Sequence, residues 1–215
     1  MQTIAFFRSP VTSRFGAPKQ SGLAASLSGR IEFVPKYRNI DALRGIDGFD
    51  YLWLLWGFSA NDHVSTSPMV RPPVLGGNER VGVFASRSPY RPNPIGLSSV
   101  RLVSVDRRRV ELIVAGADLI DRTPIYDIKP YLPYTDSHAD ARCGFSRPVR
   151  RLQVVVPPEI AAHFAAGDLE ALLEVLALDP RPQYHDDSER IYGMPFCDVD
   201  VHFRVSGDTV TVVSL

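Results

Sequence analysis

The residues best suited to chemistry stand in one stiff segment of the chain, Val81 to Leu97. Three prolines fall within six residues of this segment, and because proline fixes φ and lacks an N–H donor, the segment is rigid. Arg87, Tyr90, Arg91 and Asn93 stand on it. A rigid loop that displays guanidinium groups loses little conformational entropy when it binds. The segment therefore fits recognition of a planar or anionic ligand, and a purely structural crossover is the alternative.

A second polar segment, Asp118 to Tyr134, carries three aspartates, one lysine and three tyrosines among apolar residues and three prolines. Alternation places Asp127, Lys129 and Tyr131 on one face if this stretch is extended. A simple ion pair is the commonest use of an aspartate beside a lysine. Because so many polar groups stand together, we instead predict a loop that forms part of a site.

Length and composition describe an ordinary globular protein. The 215 residues suggest one or two domains, and the 45% that are hydrophobic suffice for a core without disulfides. The longest uncharged apolar run, residues 51–60, is about half of what a helix needs to cross a bilayer. The first residues form no readable secretory signal. We therefore expect no membrane association.

The cysteines and histidines predict no metal site. Cys143 and Cys197 form no CxxC pair, the five histidines are scattered, and a zinc site needs about four closely spaced ligands. Free thiols in a reducing cytoplasm are the simplest interpretation. No glycine-rich phosphate-binding motif of the GxGxxG or GxxxxGK[ST] type occurs, so the sequence argues against a doubly wound nucleotide-binding domain.

Charge is divided unevenly along a chain whose net charge is zero. Residues 1–151 carry +8 and residues 152–215 carry −8, and 21 of the 24 basic residues are arginine. Arginine makes bidentate contacts with phosphate and stacks on bases. A basic body with an acidic appendage suggests a polyanionic partner for the body. Attraction between the two halves is the other interpretation.

Short runs rich in β-branched and aromatic residues predict that the first 150 residues are mostly β. The expected strands are 2–7, 30–34, 51–58, 80–84, 98–105 and 110–117, with one short helix at 39–45. Their spacing indicates a small barrel or a sandwich. Arg107, Arg108 and Arg109 lie between the last two strands, as the tip of a hairpin would.

The composition changes near 148–158, and the rest of the chain has its own pattern. Apolar residues with a 3.6-residue period predict a helix at 160–179, interrupted softly by Gly167 and ended by Pro180. Two alternating strands, 198–205 and 209–215, follow around a hairpin turn.

The segment Gly-Val-Phe-Ala-Ser-Arg-Ser-Pro-Tyr-Arg-Pro-Asn at 82–93 resembles the signature of the TsaA/TrmO family. Five further motifs support the resemblance: Phe7-Arg8-Ser9-Pro10, Val70-Arg71-Pro72-Pro73, Leu75-Gly76-Gly77-Asn78, Asn93-Pro94-Ile95-Gly96 and Asp127-Ile128-Lys129-Pro130-Tyr131-Leu132-Pro133. The motif at 179–184, Asp-Pro-Arg-Pro-Gln-Tyr, resembles the C-terminal extension of the bacterial members. The resemblance covers nearly the whole chain.

The resemblance implies a mainly β fold, with a small β-barrel that binds S-adenosyl-L-methionine over residues 1–150. A small α+β appendage, 151–215, would follow it. The implied activity is methylation of threonylcarbamoyl-adenosine in tRNA, at the exocyclic amine beside the anticodon, by a homodimer. A non-catalytic RNA-binding barrel is one alternative. A family member that methylates another nucleoside or a small molecule is another.

By the same resemblance, the cofactor contacts are matched here by Pro18, Lys19, Gln20, Ser59, Ala60, Arg87, Leu97, Asp121, Arg122, Thr123 and Pro124. Two positions depart from the family pattern. Ser59-Ala60 stands where members often have His-Gln, and Arg122 stands where they have glycine. An arginine at a position that needs positive φ would cost about 1 kcal/mol or more.

Transfer to a urea-like N–H benefits from a base, and Asp121 or Asp127 is the candidate, with Lys129 and Tyr131 orienting the target. Arg87 or Arg91 suits the threonyl carboxylate. The further candidates for substrate or RNA contact are Tyr90, Tyr126 and Asn93 near the base and Arg107, Arg108, Arg109, Arg147, Arg150 and Arg151 on phosphates.

Overall fold

The structure is a computed structural model that describes residues 1–61, 63, 65–182 and 187–215. Gln183 and Tyr184, which end the motif at 179–184, lie outside these ranges. The strands are β1 (Ala5–Arg8), β2 (Ser28–Phe33), β3 (Tyr51–Gly57), β4 (Met69–Val70), β5 (Val81–Gly82), β6 (Ile95–Asp106), β7 (Glu111–Ala115), β8 (Pro124–Pro130), β9 (Gln153–Val155), β10 (Tyr192–Phe196), β11 (Val199–Ser206) and β12 (Thr209–Ser214). The α-helices are α1 (Pro133–Asp136), α2 (Pro158–Ala161) and α3 (Ala166–Ala177).

Six of these strands close into a barrel in the order β1-β2-β7-β6-β3-β8. Each neighbouring pair is antiparallel. Side chains alternate between the faces of a strand, and those that point inward form the barrel core: Phe7, Ile31, Leu52, Leu54, Leu112, Val114 and Ile125. The prediction of a mainly β fold is confirmed, and the N-terminal part is a barrel and not a sandwich.

Gly96 lets β3 and β6 approach each other around a tryptophan. It pairs with Trp56 across the two strands, and a Cβ at position 96 would lie 2.1 Å from the indole ring. Because any side chain there would displace the ring, the position requires glycine. Trp56 is thereby held near the end of β3.

A smaller unit packs helix α3 against a sheet of order β10-β11-β12-β9, in which β9 joins β12 in parallel. Its core is filled by fully buried side chains such as Leu172, Leu176, Phe196 and Phe203. The predicted hairpin of β11 and β12 is present.

This unit is docked on the segment between β1 and β2. Val11, Ala24 and Leu27 from that segment are part of its core. The N–H of Ser26 donates to Glu174 Oε2 at 2.7 Å, which ties the segment to α3. The two halves of the chain therefore share buried surface.

The segment predicted as a loop at 118–134 contains β8, which closes the barrel between β1 and β3. The prediction of a loop was wrong here because the polar residues lie on the outer face of the strand, where Asp127 and Lys129 are exposed to solvent. Prolines at both ends of the strand, Pro124 and Pro130, hid it further.

The helix predicted at 160–179 is two helices, α2 and α3. Both turn apolar side chains, including Ile160 and Leu172, toward the same core, so one periodicity runs through the break. Phe164 lies in the break and packs edge-on against Phe196, with 6.2 Å between ring centroids.

Other short elements also differ from prediction. The strand expected at 80–84 is reduced to β5 and a 3₁₀ turn, Val83–Ala85, and the helix at 39–45 is a 3₁₀ turn, Ile40–Leu43. Asn39 caps that turn by accepting a hydrogen bond from the N–H of Asp41 at 3.0 Å. The sequence does not predict β4, β9 and β10, because strands of two or three residues show no alternation and β10 contains Pro195.

None of the described helices is long and apolar enough to cross a membrane. Cys143 and Cys197 are free thiols, and burial raises the pKa of Cys197 to about 11. Among the described residues, no three metal-ligating side chains are grouped closely enough to hold an ion.

Candidate functional site

A pocket of about 250 Å³ opens at the end of the barrel where β1, β3 and β7 end. Five of the residues expected to contact a cofactor line it: Pro18, Lys19, Ser59, Ala60 and Thr123. They come from three separate loops, which antiparallel strand order brings to the same end of the barrel. The fold therefore brings together five of the residues that the family resemblance had grouped, although they are distant along the chain.

The floor of this pocket is aromatic. Trp56 and Phe58 both line it, and their rings meet edge to face with 4.4 Å between centroids. Arg14 and Lys19 supply positive charge at the wall, and Asp118 supplies a carboxylate. A pocket with an aromatic surface and charges of both signs suits a ligand that carries a flat ring and a dipolar group.

Asp118 lines the pocket but is not among the individual site residues predicted from the sequence. Its Oδ1 accepts a hydrogen bond from the Ser98 hydroxyl, and Ser98 Oγ accepts one from Trp56 Nε1 at 2.8 Å. Burial raises the pKa of Asp118 above its ordinary value, and the bond from Ser98 and the attraction of Arg87 offset part of that rise. The sequence signal was its position at the start of the polar segment 118–134, which we predicted to form part of a site.

The stiff segment at 81–97 forms the rim of the pocket. Pro89 lines the pocket, and its carbonyl accepts a hydrogen bond from Asn61 Nδ2 at 2.8 Å. Arg87 donates to the Gln20 side chain, so two of the expected cofactor residues contact each other. Arg91 donates to the Ser86 carbonyl at 3.3 Å, a bond that stabilises the fold of the segment itself.

The expected base-contacting side chains have different surroundings. The Tyr90 hydroxyl accepts a hydrogen bond from Arg14 Nη1 at 2.9 Å, and its ring stacks on His63 with 4.9 Å between centroids. Tyr90 is thus held beside a residue that lines the pocket. The Tyr126 hydroxyl lies against Gly57, where a Cβ would come within 2.2 Å of it, and Asn93 is exposed.

Asp121 faces away from the pocket. Its Oδ1 accepts a hydrogen bond from the N–H of Ser9 at 3.2 Å, and it lines a wider groove of about 620 Å³ together with Arg8 and Asp198. Arg122 beside it is exposed and has a φ of 62°.

Of the four expected residues at 121–124, Thr123 is the one that lines the pocket. Pro124 is the first residue of β8 and pairs with Phe6 on β1.

A row of side chains on the outer face of the barrel joins four further expected residues. Leu97 on β6 and Asp127 on β8 both pair with Leu55 on β3. Lys129 Nζ lies 3.2 Å from Asp127 Oδ2, so the two residues form the ion pair that was the alternative interpretation of this stretch. Tyr131 continues this face and packs on Trp53, with 5.3 Å between ring centroids. Within one chain, these groups lie outside the pocket.

The arginines expected to contact phosphate lie on the surface in two groups. Arg107, Arg108 and Arg109 form the turn between β6 and β7, where the N–H groups of Arg108 and Arg109 both donate to Asp106 and lower its pKa. Arg107 pairs with Asp47 at 2.8 Å. Arg147, Arg150 and Arg151 belong to the exposed segment before β9, and Arg150 there pairs with Asp208 of the smaller unit.

Comparison with known proteins places this arrangement in a family. The family model of the tRNA-methyltransferase O N-terminal domain matches residues 6–137, and that of the TrmO C-terminal domain matches residues 150–215. The chain belongs to the TrmO family. An Escherichia coli (strain K12) member, tRNA (adenine(37)-N6)-methyltransferase, is 38% identical over all of this chain and 96% of its own length.

Other TrmO relatives agree. An Eikenella corrodens tRNA (adenine(37)-N6)-methyltransferase is 43% identical over 73% of this chain and 91% of its own. A Pseudomonas aeruginosa relative bears the name of an S-adenosylmethionine-dependent methyltransferase and is 38% identical over 94% of this chain and 90% of its own. A crystal structure of TrmO from Pseudomonas aeruginosa superposes with a TM-score of 0.79 at 32% identity, covering 98% of this chain and 95% of that one.

Proposed function

We propose that the protein is an S-adenosylmethionine-dependent tRNA methyltransferase that methylates the exocyclic amine of threonylcarbamoyl-adenosine beside the anticodon. The observation that carries the proposal is the pocket at the barrel end, lined by five of the expected cofactor residues in a chain of the TrmO family. The names of the full-length relatives agree with the reaction.

The pocket fits S-adenosylmethionine by its charges and its aromatic floor. Arg14 and Lys19 are placed to bind the carboxylate of an amino-acid group, and the Trp56 and Phe58 rings offer a surface for an adenine. When bound, S-adenosylmethionine supplies a methyl group on a positively charged sulfur. The aromatic rings of the floor suit such a charge.

The substrate would enter past the stiff rim. Arg87 and Arg91 offer guanidinium groups for the threonyl carboxylate, and Tyr90, fixed by Arg14 and His63, offers a ring on which a base can stack. Because the rim is already rigid, binding orders few side chains, which favours precise placement of the amine.

The distribution of the remaining expected residues supports a homodimer. Leu97, Asp127, Lys129 and Tyr131 lie on the outer face of the barrel, and Asp121 lies on the other side of the 118–124 turn. The pocket volume of about 250 Å³ lies below the ~300–1,000 Å³ usual for ligand sites. A second copy that lays this outer face over the pocket would enclose it and add those side chains to it.

Apolar exposure on the outer face supports such a contact. The Leu97 side chain is 58% exposed and Tyr51 is 44% exposed, in a row that also holds the partly buried Trp53. In the dimer, Asp121 and Asp127 of one copy would lie beside the other copy's pocket, and Lys129 and Tyr131 would orient the target.

The RNA would lie on the basic body, in the cytoplasm where tRNA is modified. Arg107, Arg108 and Arg109 form a cationic turn, and Arg147, Arg150 and Arg151 add a second cationic segment. These exposed guanidinium groups are placed to bind phosphates along the tRNA, and neither group lines the pocket.

The test is an end-point assay with purified protein, S-adenosylmethionine and tRNA made with and without the threonylcarbamoyl group. Mass spectrometry of the nucleosides should find one added methyl group on the modified adenosine only. Methylation of both tRNAs would point to another nucleoside as the target. No methylation of either, with cofactor bound, would favour a non-catalytic RNA-binding barrel.

Mixing two inactive variants tests the dimer. Arg87→Ala damages the pocket rim, and Lys129→Ala damages the outer face. If each copy completes the site of the other, a mixed dimer keeps one intact site, and the mixture should recover up to about a quarter of the wild-type rate when the copies exchange at random. A mixture that stays inactive, or a monomer by sedimentation, would contradict the dimer.

A further inference from the structure

Asp118 is the one acidic residue among the described residues that line the pocket. It follows β7 and precedes the turn that carries Thr123, so the barrel holds it at the open end. Ile120 and Trp56 line the pocket beside it, and this apolar setting explains why burial raises its pKa.

One side-chain hydrogen bond reaches this carboxylate, and a second holds the donor of the first in place. An indole N–H can only donate, so Ser98 Oγ accepts from Trp56 Nε1 at 2.8 Å. The single hydroxyl hydrogen of Ser98 then goes to Asp118 Oδ1. Ser98 is fully buried, so water does not compete for these bonds.

The other two aspartates considered as bases are engaged elsewhere in the chain. Asp121 accepts from the Ser9 N–H and lies 3.9 Å from Arg8, in the wider groove. Asp127 pairs with Lys129 on the outer face of the barrel. Neither lines the pocket of its own copy.

We propose that Asp118 is the general base of the methyl transfer and that Ser98 and Trp56 are the residues that position it. The proposal rests on the function proposed above. The N–H proton of the exocyclic amine passes to a carboxylate oxygen of Asp118 as the new N–CH₃ bond forms. The S–CH₃ bond breaks at the same time, and its electron pair stays on sulfur as a neutral thioether.

A carboxylate is basic enough for this role because the nitrogen gains positive charge as the new bond forms, which makes its proton acidic. A base works best when its pKa lies near the working pH. Burial moves the pKa of Asp118 in that direction, while the bond from Ser98 keeps an oxygen in acceptor form. Asp118 is thus held by Ser98, and Ser98 is held by Trp56. Catalytic groups in other enzymes are commonly oriented by a similar chain of hydrogen bonds.

The first test compares Asp118→Asn with wild type in single-turnover methylation of threonylcarbamoylated tRNA and in S-adenosylmethionine binding by calorimetry. The amide oxygen of asparagine still accepts the Ser98 bond, but it takes no proton. The methylation rate should fall about 10²–10⁴-fold, with cofactor affinity nearly unchanged. Asp41→Asn, an exposed carboxylate paired with Arg44 at the opposite end of the barrel, is the matched control and should keep the full rate.

The second test asks for a signature that a purely structural role would not produce. Ser98→Ala removes a bond that lowers the pKa of Asp118, so the acidic limb of the pH–rate profile should move to higher pH, and the rate should recover at alkaline pH. Ser98→Thr, which keeps the hydroxyl, should restore the wild-type limb.

Three outcomes would overturn the assignment. A near-wild-type rate for Asp118→Asn removes Asp118 from the chemistry. A rate loss that is matched by an equal loss of cofactor affinity makes it a binding residue. An acidic limb that Ser98→Ala leaves in place removes the positioning role of Ser98. A wild-type protein that methylates neither tRNA is a different result, because it overturns the proposed function itself.

Discussion

Arg122 has a backbone conformation that disfavours its side chain. Its φ of 62° lies in the left-handed region, where a side chain with a Cβ is strained, and its N–H still donates to the Phe7 carbonyl at 2.8 Å. The sequence analysis predicted a conformational cost for Arg122 if this position needs positive φ, and the structure has positive φ there.

Arg122→Gly should therefore stabilise the protein by roughly 0.5–1 kcal/mol, because relief of ~1–2 kcal/mol of strain is partly offset by the entropy of glycine in the unfolded chain. The ion pair with Asp121, at 3.9 Å and exposed, contributes little. Urea unfolding measures the change. Arg122→Ala is the control, since it removes the side chain but keeps the Cβ; an equal gain there would place the effect in the side chain instead.

At neutral pH, Asp118 should lower the free energy of unfolding relative to a neutral side chain at the same position. Burial raises its folded-state pKa above the unfolded one, so the linked stability is fully present at low pH and is lost as the pH rises through the folded pKa. Asp118→Asn avoids this loss and should gain roughly 1 kcal/mol at neutral pH, typical of substitutions that relieve functional strain. Melting temperatures at about pH 4, near the ordinary pKa of an aspartate, and at pH 8 test the sign, because the advantage of the variant must grow with pH. An advantage that shrinks with rising pH would contradict it.

At the scale of elements, the contact of β3 with β6 depends on the glycine at position 96, which leaves room for the Trp56 ring. Gly96→Ala would place a Cβ 2.1 Å from the Trp56 ring, and overpacking of this kind costs about 1–3 kcal/mol. Because the displaced indole would leave Ser98, methylation should fall as well. Gly48→Ala is the matched control, since nothing lies within 4 Å of a Cβ there. Equal melting temperatures for the two variants would show that the ring moves without cost.

Strands with a clear inside and outside could be predicted from the sequence, as β3, β7, β11 and β12 illustrate. In each of them apolar residues point into a core at every second position. β8 could not be predicted, because its outward residues are polar and its ends are prolines.

The candidate site divides in the same way. Pro18, Lys19, Ser59, Ala60 and Thr123 line one pocket, and the family resemblance had grouped them. The sequence singled out neither Asp118 nor Ser98 individually, because their link is burial and a hydrogen bond between residues 20 positions apart. Such pairings exist only after the barrel has closed.

At the scale of the whole molecule, the charge division becomes a spatial one. Residues 1–151 carry +8 and residues 152–215 carry −8, and Arg150 meets Asp208 where the two parts touch. The ion pair fits attraction between the two parts, and the exposed arginines of the basic part remain suited to a polyanionic partner.

Binding of tRNA should weaken steeply with salt, and Arg108→Ala should reduce the slope of log K against log[salt] by about 0.7–0.9 per lost phosphate contact. Arg204→Ala, at an exposed cation on β11 of the smaller unit and in neither group of arginines proposed to bind phosphate, is the control and should leave the slope unchanged. Fluorescence titration from low to moderate salt measures both. A flat response in the wild type would contradict the electrostatic footprint.

The smaller unit should be needed for the stability of the barrel. Val11, Ala24 and Leu27 are buried against it, so a chain cut after residue 150 would expose them. We expect such a chain to melt several degrees lower, since each fully buried aliphatic side chain contributes about 1.5–3 kcal/mol, and to bind a hydrophobic dye. A truncated chain that melts at the wild-type temperature would contradict this.

Ala5 on β1 pairs with Ile125 on β8, so the barrel cannot close on the ribosome until β8 has been translated. The first strand finds its second neighbour only after some 120 further residues have been made, and until then both edges of an incomplete sheet stay open. The smaller unit is translated after the barrel strands, and it needs Val11, Ala24 and Leu27 from a much earlier part of the nascent chain to complete its interior. The segment between β1 and β2 therefore gains its last partners only when the smaller unit has been made, although it is translated well before that unit.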